Sequence, residues 1–282
     1  DMEQGSCSLA TDEPADDPTD APTDDKSISI LAIGNSFSVD VVEQNLHELA
    51  KAEGTTLIIG NLYIGGCGLQ KHLSNLRKEK KAYSYRKVDE HGEKTTTPKV
   101  SIQQALADEK WDYIMVQQVS GFGGVYASFG RCLPEMMTTL RSLTPYKPKF
   151  IIMQTWAYQS DSDHQSFSIY NYDQMTMYNA LAESYNKVFN DKQYGFHAIV
   201  PNGTAIQNGR TVFGDTLTRD GFHLDKRIGR YLGACTMCEV LLGKSVVGNK
   251  YRPSNISEEE ALRAQKAAHA AVLNPTKITK ID

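Results

Sequence analysis

Short apolar runs alternate with segments of helical period from residue 27 almost to the end of the chain. Five of these runs have the length of strands and are bounded by turn residues, which predicts β-strands joined by crossover helices. Nearly continuous apolar strands of this kind indicate a parallel sheet that is covered on both faces and has right-handed connections. We therefore expect a three-layer α/β/α fold around a five-stranded parallel sheet. The predicted strands are 27–33, 56–64, 111–116, 150–156 and 196–200.

Helical periodicity and capping residues predict the segments between and after the strands. The last helix should begin after Ser257, because Glu260 three positions later completes a capping box. Residues 81–100 break the rhythm with alternating Tyr83 and Tyr85 and a later His-Gly turn, so we expect a β-hairpin inserted on the surface. The predicted helices are 38–53, 69–78, 101–109, 131–143, 171–190, a segment ending near 242, and 257–273.

The first 25 residues differ in composition from the rest of the chain. The net charge is -4, and because residues 1–25 carry nine acidic side chains and no basic one, the remainder is positive by five. No Lys/Arg cluster with interleaved aromatics argues for nucleic acid, and no apolar run approaches the roughly 20 residues of a membrane helix. We expect an acidic, Pro/Thr-rich disordered tether at 1–26, a main domain at 27–250 with the hairpin at about 81–100, and a helical extension at 251–282 that packs on the domain.

The composition of the first 25 residues also indicates where in or outside the cell the protein is located. This segment resembles the linker of an exported bacterial lipoprotein, so we expect a periplasmic or cell-surface protein with a lipid anchor upstream of residue 1, with Cys7 as the alternative anchor. A merely disordered tail is the other interpretation. The five cysteines are an odd number, which does not suggest a disulfide framework, and Cys235 and Cys238 lie in an apolar helical run as expected of core residues.

Candidate chemistry begins where the first predicted strand ends. Ser36 follows that strand, and the carboxyl edge of an open α/β sheet is where ligands bind. Capping of the following helix is the alternative role for this serine. Acyl transfer also needs a base and a carboxylate that orients it, and His223 follows Asp220 by three residues in a loop after the last strand. We interpret the remaining histidines at 47, 72, 91, 197 and 269 as structural.

Several ordered motifs resemble those of a known superfamily. Gly-Asn-Ser-Phe-Ser at 34–38 and Asp-Gly-Phe-His at 220–223 look like the first and last blocks of the SGNH (GDSL-like) hydrolases. The chain more closely resembles the DUF4886 branch of that superfamily, over about residues 28–245. That closer likeness rests on the motifs at 31–38, 63–67, 111–118, 155–158 and 217–224.

The resemblance implies the flavodoxin-like SGNH hydrolase fold and assigns roles to residues. Ser36 would be the nucleophile, His223 the general base and Asp220 its orienting partner. The backbone N–H groups of Ser36 and Gly66 would form the oxyanion hole, with a merely flexible turn as the alternative for the glycine. No metal and no cofactor is implied.

Two departures from the superfamily pattern affect these roles. The Asp of the first block is Asn35 here, and the Gly-x-Asn-Asp of the third block is absent. The third predicted strand ends instead in Gln117 and Gln118. We expect Gln117, or else Gln118, to replace the missing Asn as the third oxyanion donor, and a polar strand end without function is the alternative.

The expected activity is that of a serine esterase that removes small acyl groups, expected to be acetyl, from carbohydrates through an acyl-enzyme. The alternatives are a non-catalytic glycan-binding domain of the same fold, an acyltransferase and a lipolytic esterase. Asp161, Asp163 and His164 could ligate a metal, but a solvated loop is the preferred interpretation because no other ligands are signalled. Aromatic residues that we expect at the sheet edge suit sugar rings, with core packing as the alternative; they are Phe37, Tyr63, Trp156, Tyr158 and Phe222.

Overall fold

The computed structural model describes residues 26–282, and its strands form one seven-stranded sheet of order β4-β3-β2-β1-β5-β6-β7. The five strands from β2 to β7 in that order run parallel, which confirms the expected five-stranded parallel sheet. Strands β3 and β4 form an antiparallel hairpin that pairs with β2, so the predicted insertion extends the sheet. The strands are β1 Lys26–Gly34, β2 Thr55–Tyr63, β3 Tyr83–Val88, β4 Lys94–Val100, β5 Tyr113–Val116, β6 Lys149–Met153 and β7 Ala198–Val200.

The helices cover both faces of this sheet. The predicted helix 38–53 is wrong: it is two helices, because Asn45 between them adopts a φ of 66°. Asparagine tolerates this left-handed conformation, and the Tyr251 hydroxyl donates a 3.2 Å hydrogen bond to its side chain. The helices of the described part are α1 Ser36–Val42, α2 Leu46–Ala52, α3 Leu69–Arg77, α4 Ile102–Asp108, α5 Ala127–Gly130, α6 Leu133–Ser142, α7 Gln174–Asn190, α8 Asn202–Phe213, α9 Ile228–Leu242 and α10 Glu258–Leu273.

Strand β1 is the point at which the chain reverses its direction across the sheet. The chain passes from β1 to β2 on one side and then returns to β5 on the other side of β1. Right-handed crossovers on the two sides must lie on opposite faces, and accordingly α1 and α2 contact α9 whereas α3 contacts α4 and α6. The crevice outside the carboxyl end of β1 is therefore a topological switch point, where α/β sheets bind ligands.

The C-terminal helix α10 packs on α8 and α9. His269 on α10 lies 2.6 Å from the buried Glu239 of α9 through its Nδ1 atom, and Asn208 of α8 donates a 3.1 Å hydrogen bond to the backbone of Ala267. Among residues 26–282 no helix is long and apolar enough to cross a membrane. The expected tether and lipid anchor concern residues outside the described part of the chain.

Candidate active site

Ser36 is the first residue of α1, and its hydroxyl does not cap the helix. Asn35 is the cap: its Oδ1 accepts a 2.9 Å hydrogen bond from the N–H of Phe37, and Ser38 Oγ accepts one from the Asn35 N–H. The Ser36 hydroxyl is thereby left for another partner. Its Oγ lies 2.8 Å from Nε2 of His223, so the capping alternative for this serine is excluded.

His223 is oriented by Asp220 from the same loop. The imidazole Nδ1 lies 2.6 Å from Asp220 Oδ2, while Oδ1 of that carboxylate accepts the backbone N–H groups of Phe222 and His223 at 3.1 and 2.8 Å. Burial opposes the charge of Asp220, but these hydrogen bonds outweigh burial and hold its pKa below the usual value. An ionised carboxylate can only accept, so Nδ1 carries the proton and Nε2 is free to accept the Ser36 proton. The structure thus brings together the three residues expected from the sequence.

The loop that carries Asp220 and His223 is fixed by its backbone. The Trp156 indole donates a 2.7 Å hydrogen bond to the carbonyl of Phe222, and the Gln159 N–H donates one of 2.8 Å to the carbonyl of Gly221. Gly221 has a φ of +94°, and a Cβ at this position would lie 2.9 Å from Ser162 Oγ. Glycine is therefore required here on both conformational and steric grounds.

Asp40, one turn after Ser36 on α1, connects the helix to this loop. Its side chain is fully buried, with Oδ1 3.0 Å from Arg219 Nη1 and 2.9 Å from Arg230 Nε. Its other oxygen accepts the Leu224 N–H at 2.9 Å. Sequence reasoning missed Asp40; the signal was a carboxylate four residues after the serine, with an arginine directly before Asp220.

The loop after β2 presents Gly66 beside the serine. Gly66 has a φ of +65°, in the left-handed region, and the Asn35 side chain holds the next residue through a 3.0 Å hydrogen bond to the carbonyl of Cys67. The backbone N–H groups of Ser36 and Gly66 donate to no other residue of 26–282. Both residues line the cavity above the sheet edge, so two unpaired backbone donors are available there for an oxyanion.

The two glutamines do not supply the expected third donor. The side-chain amide of Gln117 donates at 2.9 Å to Asn35 Oδ1, and that of Gln118 donates at 3.1 Å to Ser128 Oγ. Both side chains are buried, and neither lines the cavity. From this strand end Val119 and Ser120 line the cavity, and Ser120 Oγ lies 2.7 Å from the Tyr158 hydroxyl.

The cavity has a volume of about 250 Å³. Three of the aromatics expected to bind substrate line it, but Trp156 and Tyr158 are fully buried, which corrects that expectation. Trp156 stacks on the Phe37 ring with centroids 4.2 Å apart, so its indole supports the wall rather than forming it. The lining residues are Asn35, Ser36, Phe37, Tyr63, Gly65, Gly66, Val119, Ser120, His164, Phe222 and His223.

The acidic loop before α7 is no metal site in the described structure. Asp161 accepts a 2.8 Å hydrogen bond from Gln159, and His164 accepts one of 3.1 Å from the Ser166 N–H. Nowhere in residues 26–282 do three or more His, Cys, Asp or Glu side chains come together as metal ligands would.

The sheet and its covering helices are similar to the fold of SGNH hydrolases. A protein from Slackia heliotrinireducens that is proposed to be an SGNH hydrolase shares 18% identity over 77% of this chain and 100% of its own, with a TM-score of 0.52, a likeness of fold alone. The family model of the Domain of unknown function (DUF4886) matches residues 29–271, and this chain belongs to that family.

A solved member of the same family is similar throughout. The crystal structure of a DUF4886 family protein from Bacteroides uniformis ATCC 8492 shares 48% identity, covers 90% of this chain and 98% of its own, and has a TM-score of 0.88. No curated protein matches the chain.

Replacement of Asp40 by asparagine is predicted to lower the free energy of unfolding by about 3–5 kcal/mol, because it leaves two guanidinium groups without their buried counter-charge. The measurement is equilibrium denaturation in urea. The matched control is Glu135→Gln, which breaks the exposed ion pair with Arg77 and should leave the midpoint unchanged. A loss no larger than that of the control would contradict the prediction.

Proposed function

We propose that this protein is a serine esterase that hydrolyses small acyl esters, and that its substrates are acetyl groups on carbohydrates. The observation that carries the proposal is the unbroken chain of hydrogen bonds from Ser36 Oγ through His223 to Asp220, which opens on a cavity with two free backbone donors. Serine, histidine and carboxylate in this order are the groups that acyl transfer requires.

In the proposed first step, Ser36 Oγ attacks the carbonyl carbon of the ester while its proton passes to His223 Nε2. The carbonyl oxygen becomes an anion and accepts hydrogen bonds from the N–H groups of Ser36 and Gly66. Asp220 keeps its charge and stabilises the imidazolium. His223 then gives its proton to the leaving alcohol oxygen, the carbon–oxygen bond breaks, and acyl-Ser36 remains.

Water completes the reaction by the same route. His223 takes a proton from a water molecule, the resulting hydroxide attacks the acyl carbon, and the proton returns to Ser36 Oγ as the carboxylic acid leaves. Ser120 is our proposed third oxyanion donor in place of the glutamines. Burial raises the pKa of Tyr158 to about 12, so its hydroxyl stays protonated and can donate to Ser120 Oγ, which frees the Ser120 proton for the oxyanion.

The shape and lining of the cavity support a short acyl group and a polar alcohol. The cavity volume of about 250 Å³ lies just below the range of about 300–1,000 Å³ that is usual for ligand sites. Val119 is the one Val, Leu or Ile side chain among the described residues that line it, whereas a fatty acyl chain would need an aliphatic channel. Tyr63 and Phe222 are partly exposed and offer aromatic faces to the C–H groups of a sugar ring.

Ser36→Ala is predicted to lower kcat/KM for a chromogenic acetate ester at least about a thousandfold, because Oγ forms the new bond. The melting temperature should stay within error of the wild type, since the residue lines an open cavity. Ser142→Ala on the exposed side of α6 is the matched control and should retain full activity. Hydrolysis by the Ser36 variant at the wild-type rate would refute the nucleophile.

Acyl-chain length gives a second prediction. Among acetate, butyrate and octanoate esters of one chromogenic alcohol, kcat/KM should be highest for acetate and fall with each longer chain, because the cavity has no aliphatic channel. Release of acetate from acetylated oligosaccharides, measured in parallel, should show the same dependence on Ser36. A preference for octanoate with no acetate released from any glycan would favour a lipolytic enzyme instead.

The pH dependence of kcat/KM should show a single acid limb. Activity is expected to fall on acidification, because a protonated imidazole cannot accept the Ser36 proton. Asp220 should not contribute to this limb, since its pKa is held below the usual value and the carboxylate stays ionised. The measurement is kcat/KM between pH 5 and pH 8, and a flat profile would argue against a histidine base.

A further inference from the structure

A second histidine lines the cavity and has no part in the proposed reaction. The His164 ring lies 4.6 Å from the ring of Phe222, which in turn lies 4.3 Å from the ring of His223. The His164 ring also packs on the buried Tyr158 at 4.6 Å. It is therefore held against the wall of the cavity next to the catalytic base.

The hydrogen bonds of His164 fix which of its nitrogen atoms carries the proton. Burial, followed by the nearby His223, lowers the pKa of His164, so the ring is neutral at pH 7. Its Nδ1 accepts a 3.1 Å hydrogen bond from the backbone N–H of Ser166. In a neutral imidazole the other nitrogen must then be the donor. Within residues 26–282 the His164 ring makes a hydrogen bond only through Nδ1, so its Nε2–H group has no acceptor there.

The proposed reaction assigns a side of the cavity to each half of the ester. His223 returns its proton to the leaving oxygen, so the alcohol must lie on the His223 side. Gly66, the oxyanion donor, follows β2, whereas His164 follows β6, and these strands lie on opposite sides of β1 in the sheet. His164 and Phe222 therefore line the alcohol side.

We infer that His164 binds the alcohol portion of the substrate, with its Nε2–H donating a hydrogen bond to a hydroxyl or ring oxygen of a sugar. The inference rests on the proposed esterase function and specifies the class of alcohol. Phe222 beside it supplies an apolar surface for the sugar ring. The sugar is thus recognised by a hydrogen bond from His164 and by packing against the Phe222 ring.

The test compares two acetate esters whose alcohols have six-membered rings, a monoacetylated methyl glycopyranoside and cyclohexyl acetate, with acetate release as the readout. The variant is His164→Asn, because Asn Oδ1 can take the place of Nδ1 as the acceptor for Ser166 while the distant N–H is lost. The ratio of kcat/KM for the sugar ester to that for cyclohexyl acetate is expected to fall about five- to tenfold, the effect of one neutral hydrogen bond.

His164→Phe, which keeps a ring against Tyr158 and Phe222, should lower the ratio to the same extent. The control His91→Asn, on the exposed hairpin, should leave it at the wild-type value. An unchanged ratio in both His164 variants would overturn the inference while the esterase function stands. A wild type that releases no acetate in a Ser36-dependent manner would overturn the proposed function, and the inference with it.

Discussion

The buried ion pairs of Asp40 are the interaction on which the candidate site depends. A fully buried carboxylate is tolerated only when it is paired and hydrogen-bonded, and Asp40 meets two guanidinium groups and one backbone N–H. Asp40 belongs to the helix that begins with Ser36, whereas Arg219 and Leu224 flank the loop of Asp220 and His223. These pairs therefore hold together two segments that lie far apart in sequence, and the 2.8 Å contact between serine and histidine follows from them.

Asn35 likewise holds together two segments of the site, the turn of Ser36 and the loop of Gly66. Its Oδ1 accepts from Phe37 and Gln117, while its amide nitrogen donates to the carbonyl of Cys67 beside Gly66. An aspartate could replace the acceptor but not the donor. Asn35, where the SGNH pattern has Asp, therefore gives this chain a link between the turn of Ser36 and the loop of Gly66, and Gln117 completes that link instead of lining the cavity.

The features that could be predicted from the sequence are those that local residue patterns determine, namely the strands and the motif residues. The five parallel strands are apolar runs, and their pairing follows from burial on both faces; the serine, histidine and aspartate came from motifs. The features that were missed depend on distant contacts. The helix 38–53 breaks at Asn45, whose side chain meets the Tyr251 hydroxyl 206 positions later, and the Trp156 indole donates to the carbonyl of Phe222 in a loop 66 positions later. The counter-charges of Asp40 likewise lie about 180 residues away.

The sheet places the residues of the candidate site on both sides of β1. Ser36 follows β1 and the free Gly66 N–H follows β2, whereas His164 follows β6 and the loop of Phe222 and His223 comes after β7. In the proposed reaction the leaving alcohol lies beside His223, which protonates it, so we place the alcohol against the loops after β6 and β7 and the oxyanion against the backbone N–H groups of Ser36 and Gly66. Under this proposal a substitution at His164 changes which alcohol is accepted, whereas Gln159 and Ser162 also support the loop of His223 through Gly221.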